Sequence, residues 1–218
     1  MCNKDEILKE YRAVYDEENG AFAKLKRMHA ESAFKVPDHN KNKSRICFIF
    51  SCPGREELIH DQVCCGETGE NLNVLLRILN EYNCELFNST DRYGYDILNA
   101  SDTVHFYALD KKTEAGSCEI KKGLQRIYDY IENNNGLTHI LMFGKKAESI
   151  CDVLQQFATG KERNITFIKN IPHLGYQSLN QISGDVDGDP INEGCYDSSK
   201  ARTEARLKVV AKRIIEQI

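Results

Sequence analysis

The chain has 218 residues, a net charge of -4 and 41% hydrophobic residues, a composition typical of an ordinary globular protein. Because acidic and basic residues nearly balance, the net charge alone cannot hold the protein on nucleic acid. A surface that binds nucleic acid would have to be a local basic patch. No apolar run reaches the roughly 18 residues that cross a bilayer, and the polar start of the chain does not resemble a signal peptide. We therefore expect a cytoplasmic protein without membrane contacts.

The nine cysteines are expected to be mostly reduced thiols buried in the core, because the chain carries no export signal. No CxxC pair occurs that would indicate a zinc or redox site. Cys64 and Cys65 are adjacent and cannot easily chelate one ion together. The sequence therefore predicts no metal site and no cofactor.

Apolar residues at helical spacing predict one or two helices between about residues 5 and 32. A polar linker then separates this N-terminal helical extension, residues 1–40, from a domain over residues 41–218. The domain opens with a short apolar run at residues 45–50, which is typical of a strand buried on both faces. A stripe of leucines spaced as on one helix face follows, at Leu72, Leu75, Leu76 and Leu79.

Strands and helices alternate along the rest of the chain. Further strands are predicted at residues 96–99, 138–143 and 164–169, and each is followed by an amphipathic helix. This alternation predicts an α/β three-layer sandwich with a mainly parallel four-stranded sheet. Ligands of such sheets bind outside the carboxyl ends of the strands. The loops that could carry chemistry are residues 51–69, 99–109, 144–146 and 170–180.

Each predicted strand is followed by a short polar or glycine-containing segment. Asn99 stands at the end of the second strand, and His173 follows the fourth. The segments are, in chain order, Phe50-Ser-Cys-Pro-Gly54, Gly66-Glu-Thr-Gly69, Ile97-Leu-Asn-Ala-Ser-Asp-Thr-Val104, Ile140-Leu-Met-Phe-Gly-Lys-Lys-Ala147 and His173-Leu-Gly-Tyr-Gln-Ser178.

Taken together and in this order, the segments resemble motifs of the uracil-DNA glycosylase superfamily over residues 46–218. The outline is closest to the iron–sulfur branch, although the chain lacks the spaced cysteines that hold its cluster. The resemblance implies a uracil-DNA-glycosylase-like fold. It also implies a DNA-repair hydrolase that flips a base out of single- or double-stranded DNA and hydrolyses its N-glycosidic bond.

The resemblance also assigns roles to residues. Asn99 is expected to read the hydrogen-bonding edge of the base with its amide. His173 is expected to donate to the base oxygen that gains negative charge as the bond breaks. Ser51 and Cys52 occupy the catalytic position of the first motif. The other residues expected to line the base are Pro53, Gly54, Cys64, Gly66, Phe143 and Gly175.

Several positions depart from the family pattern. Family members usually have a carboxylate or an amide where this chain has Ser51 and Cys52, and neither replacement brings a charge at pH 7. Nearby carboxyl groups that could supply the charge are Glu56, Glu57 and Asp61. The aromatic residue that stacks on the base is also absent from the first loop, which leaves Phe143 or Tyr107 as substitutes. A leucine replaces the proline that usually follows the histidine.

These departures leave two alternative functions open. One is a catalytically inactive module of the same fold that binds nucleic acid or a nucleotide. The other is a thiol-dependent hydrolase in which Cys52 is the nucleophile, its pKa lowered by His173 or a helix N-terminus.

Overall fold

The structure is a computed structural model that describes residues 6–9, 11 and 20–218. Residues 6–9 and 11 are helical, and helix α1 spans Gly20–Glu31. The remainder of the predicted N-terminal helices lies outside the described residues. Ile7 and Tyr11, together with Phe22 and Leu25 of α1, are buried in the same hydrophobic core as the sheet. The described part of the N-terminal extension therefore packs into the domain core.

Among the described residues, the sheet has four strands, all parallel, in the order β2-β1-β3-β4. The strands are β1 Ile46–Phe50, β2 Asp96–Asn99, β3 His139–Phe143 and β4 Thr166–Ile171. The prediction of an α/β fold with a parallel four-stranded sheet is confirmed. The fourth strand begins two residues later than predicted, because its pairing with β3 starts at Thr166, opposite His139.

The helices connect the strands and cover both faces of the sheet. After α1 they are α2 Arg55–His60, α3 Gly66–Tyr82, α4 Tyr107–Asp110, α5 Ser117–Asn133, α6 Lys145–Glu148, α7 Cys151–Gly160, α8 Tyr176–Leu179 and α9 Ser199–Ile215. The predicted loop over residues 51–69 thus contains one short helix and the start of another. No helix among the described residues has the length and apolarity needed to span a membrane.

Side chains alternate between two cores along each strand, as the pleat of a sheet requires. Ile46, Phe48 and Phe50 enter the core that also contains buried residues of α1, α3 and α9. Cys47 and Ile49 enter the opposite core, which α5 and α7 cover. Helices on both sides of one parallel sheet give the three layers that the sequence predicted.

Free thiols are less buried than the sequence suggested. The structure describes eight of the cysteines as free, and of these only Cys47, Cys64 and Cys151 are buried. The expectation that most cysteines are core thiols is therefore wrong for this part of the chain. Three of the others, Cys84, Cys118 and Cys195, are exposed.

The outer edge of β2 is closed by the segment that precedes β1 and by α5. His39 pairs with Ile97 through two backbone hydrogen bonds. Asp38 accepts a hydrogen bond from the backbone N–H of Asn99 (3.1 Å), and Arg126 of α5 donates to the carbonyl of Asn99 (2.5 Å). Asp38 and Arg126 also form an ion pair with each other. Both backbone groups of Asn99 are thereby fixed.

The strand order determines where ligands can bind. The chain passes from β1 to β2 on one side of the sheet and returns to β3 on the other, so the order reverses between β1 and β3. In parallel sheets this reversal leaves a crevice at the carboxyl ends of the two strands. Ser51 directly follows β1, and Gly144 directly follows β3.

Candidate functional site

A polar pocket of about 370 Å³ lies at the carboxyl ends of the strands. We call it the His173 pocket. It brings together residues that follow β1, residues that follow β4, the first turn of α3 and the segment before α5. The lining residues are Ser51, Cys52, Glu67, Thr113, Glu114, His173, Gly175, Tyr176, Gln177 and Ser178.

The His173 ring is held in one orientation and in one neutral form. Its Nδ1 accepts a hydrogen bond from the backbone N–H of Gly175 at 3.0 Å, so the proton of the neutral imidazole is on Nε2. Burial lowers the pKa of His173, and the nearby charge of Glu114 opposes that shift only in part. Among the described residues no protein group is hydrogen-bonded to Nε2. The neutral ring therefore offers an N–H donor to a ligand.

Close packing holds the His173 backbone and ring against the sheet. The ring contacts Phe50 edge-on, with 5.9 Å between the ring centroids. Gly144 lies against His173 with a φ of +86°, and a Cβ at that position would stand 3.3 Å from the Cβ of His173. A side chain at residue 144 would be both strained and crowded. The glycine after β3 is thus what lets the His173 segment approach the strand end.

Ser51 and Cys52 both line the pocket but carry no charge. The hydroxyl of Ser51 lies 3.8 Å from the Cys52 sulfur. Burial raises the pKa of the Cys52 thiol to about 11, so the thiolate that a nucleophilic mechanism needs is scarce at pH 7. This is the opposite of the lowered pKa that the thiol-hydrolase hypothesis requires.

We predict that Cys52 reacts slowly with iodoacetamide at pH 7.5, because only the thiolate attacks and burial keeps the thiol protonated. Exposed Cys84, Cys118 and Cys195 are internal controls and should be alkylated first. Mass spectrometry of tryptic peptides after timed labelling measures the order. Labelling of Cys52 ahead of these three residues would restore the thiol-hydrolase hypothesis.

Asn99 does not line the His173 pocket. It ends β2 in register with Phe50 of β1, and residues aligned across neighbouring strands point to the same face of a sheet. Its side chain is only 1% exposed, and neither amide atom has a hydrogen-bond partner among the described residues. Asn99 is thus the register neighbour of Phe50 on β2, whereas the His173 ring contacts Phe50 edge-on. A buried unpaired amide is costly unless a ligand or water satisfies it.

Phe143 and Cys64 lie in the core, away from the pocket lining. The ring of Phe143 is fully buried and stacks on Phe50, with centroids 4.8 Å apart and planes at 11°. One face of that ring is thus occupied by a neighbour. Cys64 is also buried. The sequence alone cannot show whether an aromatic residue at the end of a strand packs in the core or stacks on a base. Both kinds of ring are apolar and occupy the same alternating positions along a strand.

The aromatic residue that lines the pocket is Tyr176, at the start of α8 and 57% exposed. Tyr107, the other substitute suggested by the sequence, is 64% exposed but does not line the pocket, and Lys111 lies over its ring at 4.6 Å. The sequence places Tyr176 in a predicted ligand-binding loop, but it does not indicate that the ring contacts a ligand. Its position three residues after His173 was the available signal.

Pro53, Gly54 and Gly66 shape the loop after β1 without lining the pocket. The carbonyl of Pro53 accepts a hydrogen bond from the backbone of His105 at 2.9 Å. The Glu57 carboxylate accepts from the backbone N–H of Gly54 and, at 3.0 Å, from that of Cys64. Glu57 therefore braces the loop and does not supply the missing charge of the first motif. Among the described residues, the carboxylates that line the pocket are Glu67 and Glu114.

The pKa of Glu57 is raised to about 7 by burial, although its two backbone hydrogen bonds oppose the shift. A carboxyl whose pKa is higher in the folded state than in the unfolded state takes up a proton on folding. Its contribution to stability therefore falls as pH rises from about 4.5 to about 7. Burial of Glu57 therefore costs least when the carboxyl is protonated.

We predict that Glu57→Gln gains stability relative to the wild type as pH rises from 5 to 8, because glutamine cannot ionise. Urea unfolding at several pH values measures the difference. Glu81→Gln, on the exposed end of α3, is the control and should show little pH-dependent difference. A Glu57→Gln difference that stays constant across this range would contradict the burial of an ionisable group at this position.

No protein-family model matches the chain, and no match is found among curated proteins. Assignment of a function to the pocket therefore depends on its chemistry alone.

Proposed function

We propose that the protein binds a nucleobase of DNA in the His173 pocket and hydrolyses the N-glycosidic bond that joins the base to its sugar. The observation that carries the proposal is the state of His173. Its Nδ1 is occupied by the Gly175 N–H, and Nε2–H points a neutral donor at a ligand. Asn99, to which the resemblance gives the base edge, is buried outside this pocket and has no part in this proposal.

The reaction needs a group that stabilises the departing base. When the bond between the sugar carbon and the base nitrogen breaks, its electron pair moves into the base and negative charge collects on a ring carbonyl oxygen. A fixed N–H donor such as Nε2 of His173 stabilises this charge better than it stabilises the neutral base. Because the donor is already oriented by Gly175, no reorganisation is needed during the reaction.

Water must then add to the sugar carbon and lose a proton. Glu67 and Glu114 line the same pocket and are the carboxylates available to accept that proton. Ser51, buried beside Cys52, can orient the water through its hydroxyl. In this proposal Glu67 or Glu114 takes the part that the resemblance assigned to the first motif.

The size of the pocket favours a base rather than an intact base pair. A volume of about 370 Å³ is at the small end of ligand sites, so a nucleotide must leave the helical stack before its base can enter. Tyr176 is the side chain at the pocket suited to stack on an unstacked base, since aromatic rings are worth roughly 1–3 kcal/mol per base in single-strand binders.

DNA backbone contacts are proposed beside the pocket. A second groove, between α3 and α9, shares Glu67 and Tyr176 with it and is also lined by Arg77 and Lys200. These two cations are the candidates for phosphate contacts. Two further glutamates, Glu70 and Glu204, line the same groove, so the phosphate contacts must be local to the two cations.

The proposal is tested with oligonucleotides that each carry one uracil, hypoxanthine, xanthine or oxidised guanine, in single- and double-stranded form. Incubation with the purified full chain should leave alkali-labile abasic sites in at least one of them, with release of the free base. The absence of abasic product from every oligonucleotide would remove the proposed hydrolysis for these bases.

A second candidate function is base or nucleotide binding without turnover. It is favoured by one observation: Ser51 and Cys52, which line the pocket where the resemblance expects a carboxylate or an amide, are uncharged. It predicts saturable binding of a labelled oligonucleotide in fluorescence anisotropy, with no base released. Base release by the wild type would exclude it, and the absence of binding to DNA, RNA and nucleotides would exclude both candidates.

A further inference from the structure

A cluster of two histidines and an aspartate lies outside the His173 pocket. His29 is in the last turn of α1, His105 follows β2, and Asp110 ends α4. One ligand atom from each of the three residues lies within 4.8 Å of the other two, and Asp110 Oδ2 is near both His105 Nδ1 and His29 Nε2. Both histidines are buried, and Asp110 is partly buried. Two parts of the chain that are distant in sequence, the end of α1 and the segment from His105 to Asp110, thus bring three ligand atoms together.

A second carboxylate orients one of these rings. His105 Nε2 lies 3.1 Å from Glu119 Oε2, and Lys112 pairs with the other oxygen of Glu119 at 3.3 Å. Glu119 is itself fixed, because it accepts a hydrogen bond from the backbone N–H of Gly116 at 2.6 Å. A histidine that binds a metal through one nitrogen commonly has its other nitrogen held by a carboxylate in this way.

The charges around the cluster favour a divalent cation. Asp110 and Glu119 place two carboxylates beside two buried imidazoles. A divalent ion would neutralise both carboxylates at a point that is largely shielded from water. Lys112 compensates Glu119 only from the exposed side of the cluster.

We propose that His29 Nε2, His105 Nδ1 and Asp110 Oδ2 bind a divalent transition metal ion of the zinc class. Two imidazoles and a carboxylate are ligands that such ions accept. Ligand atoms about 2.0–2.1 Å from a tetrahedral ion stand roughly 3.4 Å apart. His105 Nδ1 and Asp110 Oδ2 are now hydrogen-bonded at 2.5 Å, and His29 Nε2 is 3.9 Å from the same oxygen.

Binding therefore needs the His105–Asp110 separation to open from 2.5 Å and the His29–Asp110 separation to close from 3.9 Å, each toward roughly 3.4 Å, with the ion replacing the proton between His105 and Asp110. It also changes His29. The Nδ1 of that ring now accepts a hydrogen bond from the backbone N–H of Phe34 at 3.0 Å, whereas coordination through Nε2 places the ring proton on Nδ1. That proton would face the Phe34 N–H, so the Phe34 backbone must turn away from the ring when the ion binds. The ion would join α1 to the segment between β2 and α5.

The sequence did not predict this site, because His29 is far along the chain from His105 and Asp110 and no spacing motif links them. The prediction of no metal site was drawn from the cysteines, which form no CxxC pair. It could not anticipate that α1 packs against α4.

Zinc binding by the full chain tests the proposal. Accessible thiols are first alkylated, because the free cysteines also bind zinc, and residual metal is removed with a chelator. Titration with Zn²⁺ against a chromophoric chelator should give one equivalent bound per chain with a dissociation constant below about 1 µM. The same protein should show a higher melting temperature with Zn²⁺ than without it. Co²⁺ should give the visible spectrum of nitrogen and oxygen ligands, without thiolate bands.

His29→Gln and Asp110→Asn should each weaken Zn²⁺ binding at least 10-fold, whereas His60→Gln on the exposed face of α2 should bind as the wild type does. Asp110→Asn keeps the size of the side chain and is the variant less able to disturb the fold. The change in melting temperature is measured on the wild type. The test therefore still gives a result if the His29 variant misfolds. The proposal is overturned if the wild type binds no Zn²⁺ below about 100 µM, if the Co²⁺ complex shows thiolate bands, or if folded variants bind as the wild type does.

Discussion

Replacement of Arg126 by methionine is expected to lower the free energy of unfolding by about 3–5 kcal/mol, because it leaves a buried charge without a partner. The Asp38 side chain is 3% exposed and pairs with Arg126. Both residues also hold the backbone of Asn99, through its N–H and its carbonyl. Methionine keeps much of the apolar stem but removes the guanidinium. Urea denaturation of the wild type and the variant measures the loss.

An exposed ion pair supplies the matched control. Lys35 bonds Asp102 at 2.9 Å, but the lysine side chain is 65% exposed, so Lys35→Met should cost less than about 1 kcal/mol. In the double variant Asp38→Asn/Arg126→Met, part of the loss should be recovered, because no buried charge remains. Equal losses for Arg126→Met and Lys35→Met would contradict the account of the β2 edge.

Replacement of His173 by alanine is expected to slow base release about 100- to 1000-fold, the usual effect of losing one donor to a developing negative charge. The rate is measured as abasic sites formed per minute on the oligonucleotide that the wild type cleaves best. His60→Ala, which alters an exposed histidine outside the pocket, should keep the wild-type rate. A His173→Ala rate within a few-fold of the wild type would show that this ring is not the donor.

The pH profile separates a neutral donor from a charged one. Burial lowers the pKa of His173 below its ordinary value of 6.5, so the ring is neutral at and above pH 7. The rate attributed to His173 should therefore stay level from pH 7 to 8. It should fall only on the acid side, where protonation of Nδ1 breaks the hydrogen bond from Gly175. A rate that falls steadily from pH 6 to 8 would indicate a charged imidazolium as the donor.

The layered fold could be predicted because it depends on local periodicity. The sequence pattern of β1 is a continuous apolar run, and all five of its side chains are buried. The pattern of α3 is different, because its leucines recur at the spacing of one helix face. Strand order is less local, yet the ends of parallel strands share one edge of the sheet whatever their order. This is why residues after β1 and β4 could be expected to meet, and Ser51 and His173 do line one pocket.

Side-chain surroundings were harder to predict, because they depend on which neighbours fill the space. Phe143 could have faced a ligand, but Phe50 stacks on it. Glu57 had the right charge for the pocket, but two backbone N–H groups bind its carboxylate. The glutamates that line the pocket come from the start of α3 and from the segment before α5. No sequence pattern linked Glu114 to His173.

Histidine side-chain NMR of the full ¹⁵N-labelled chain, titrated with free uracil and with hypoxanthine, tests base binding at His173 most directly. If His173 donates from Nε2, its Nε2–H resonance should shift on saturation with at least one of the two bases, while the resonances of exposed His60 stay in place. A His173 resonance that stays unchanged on saturation with both bases would contradict the binding of a nucleobase in this pocket.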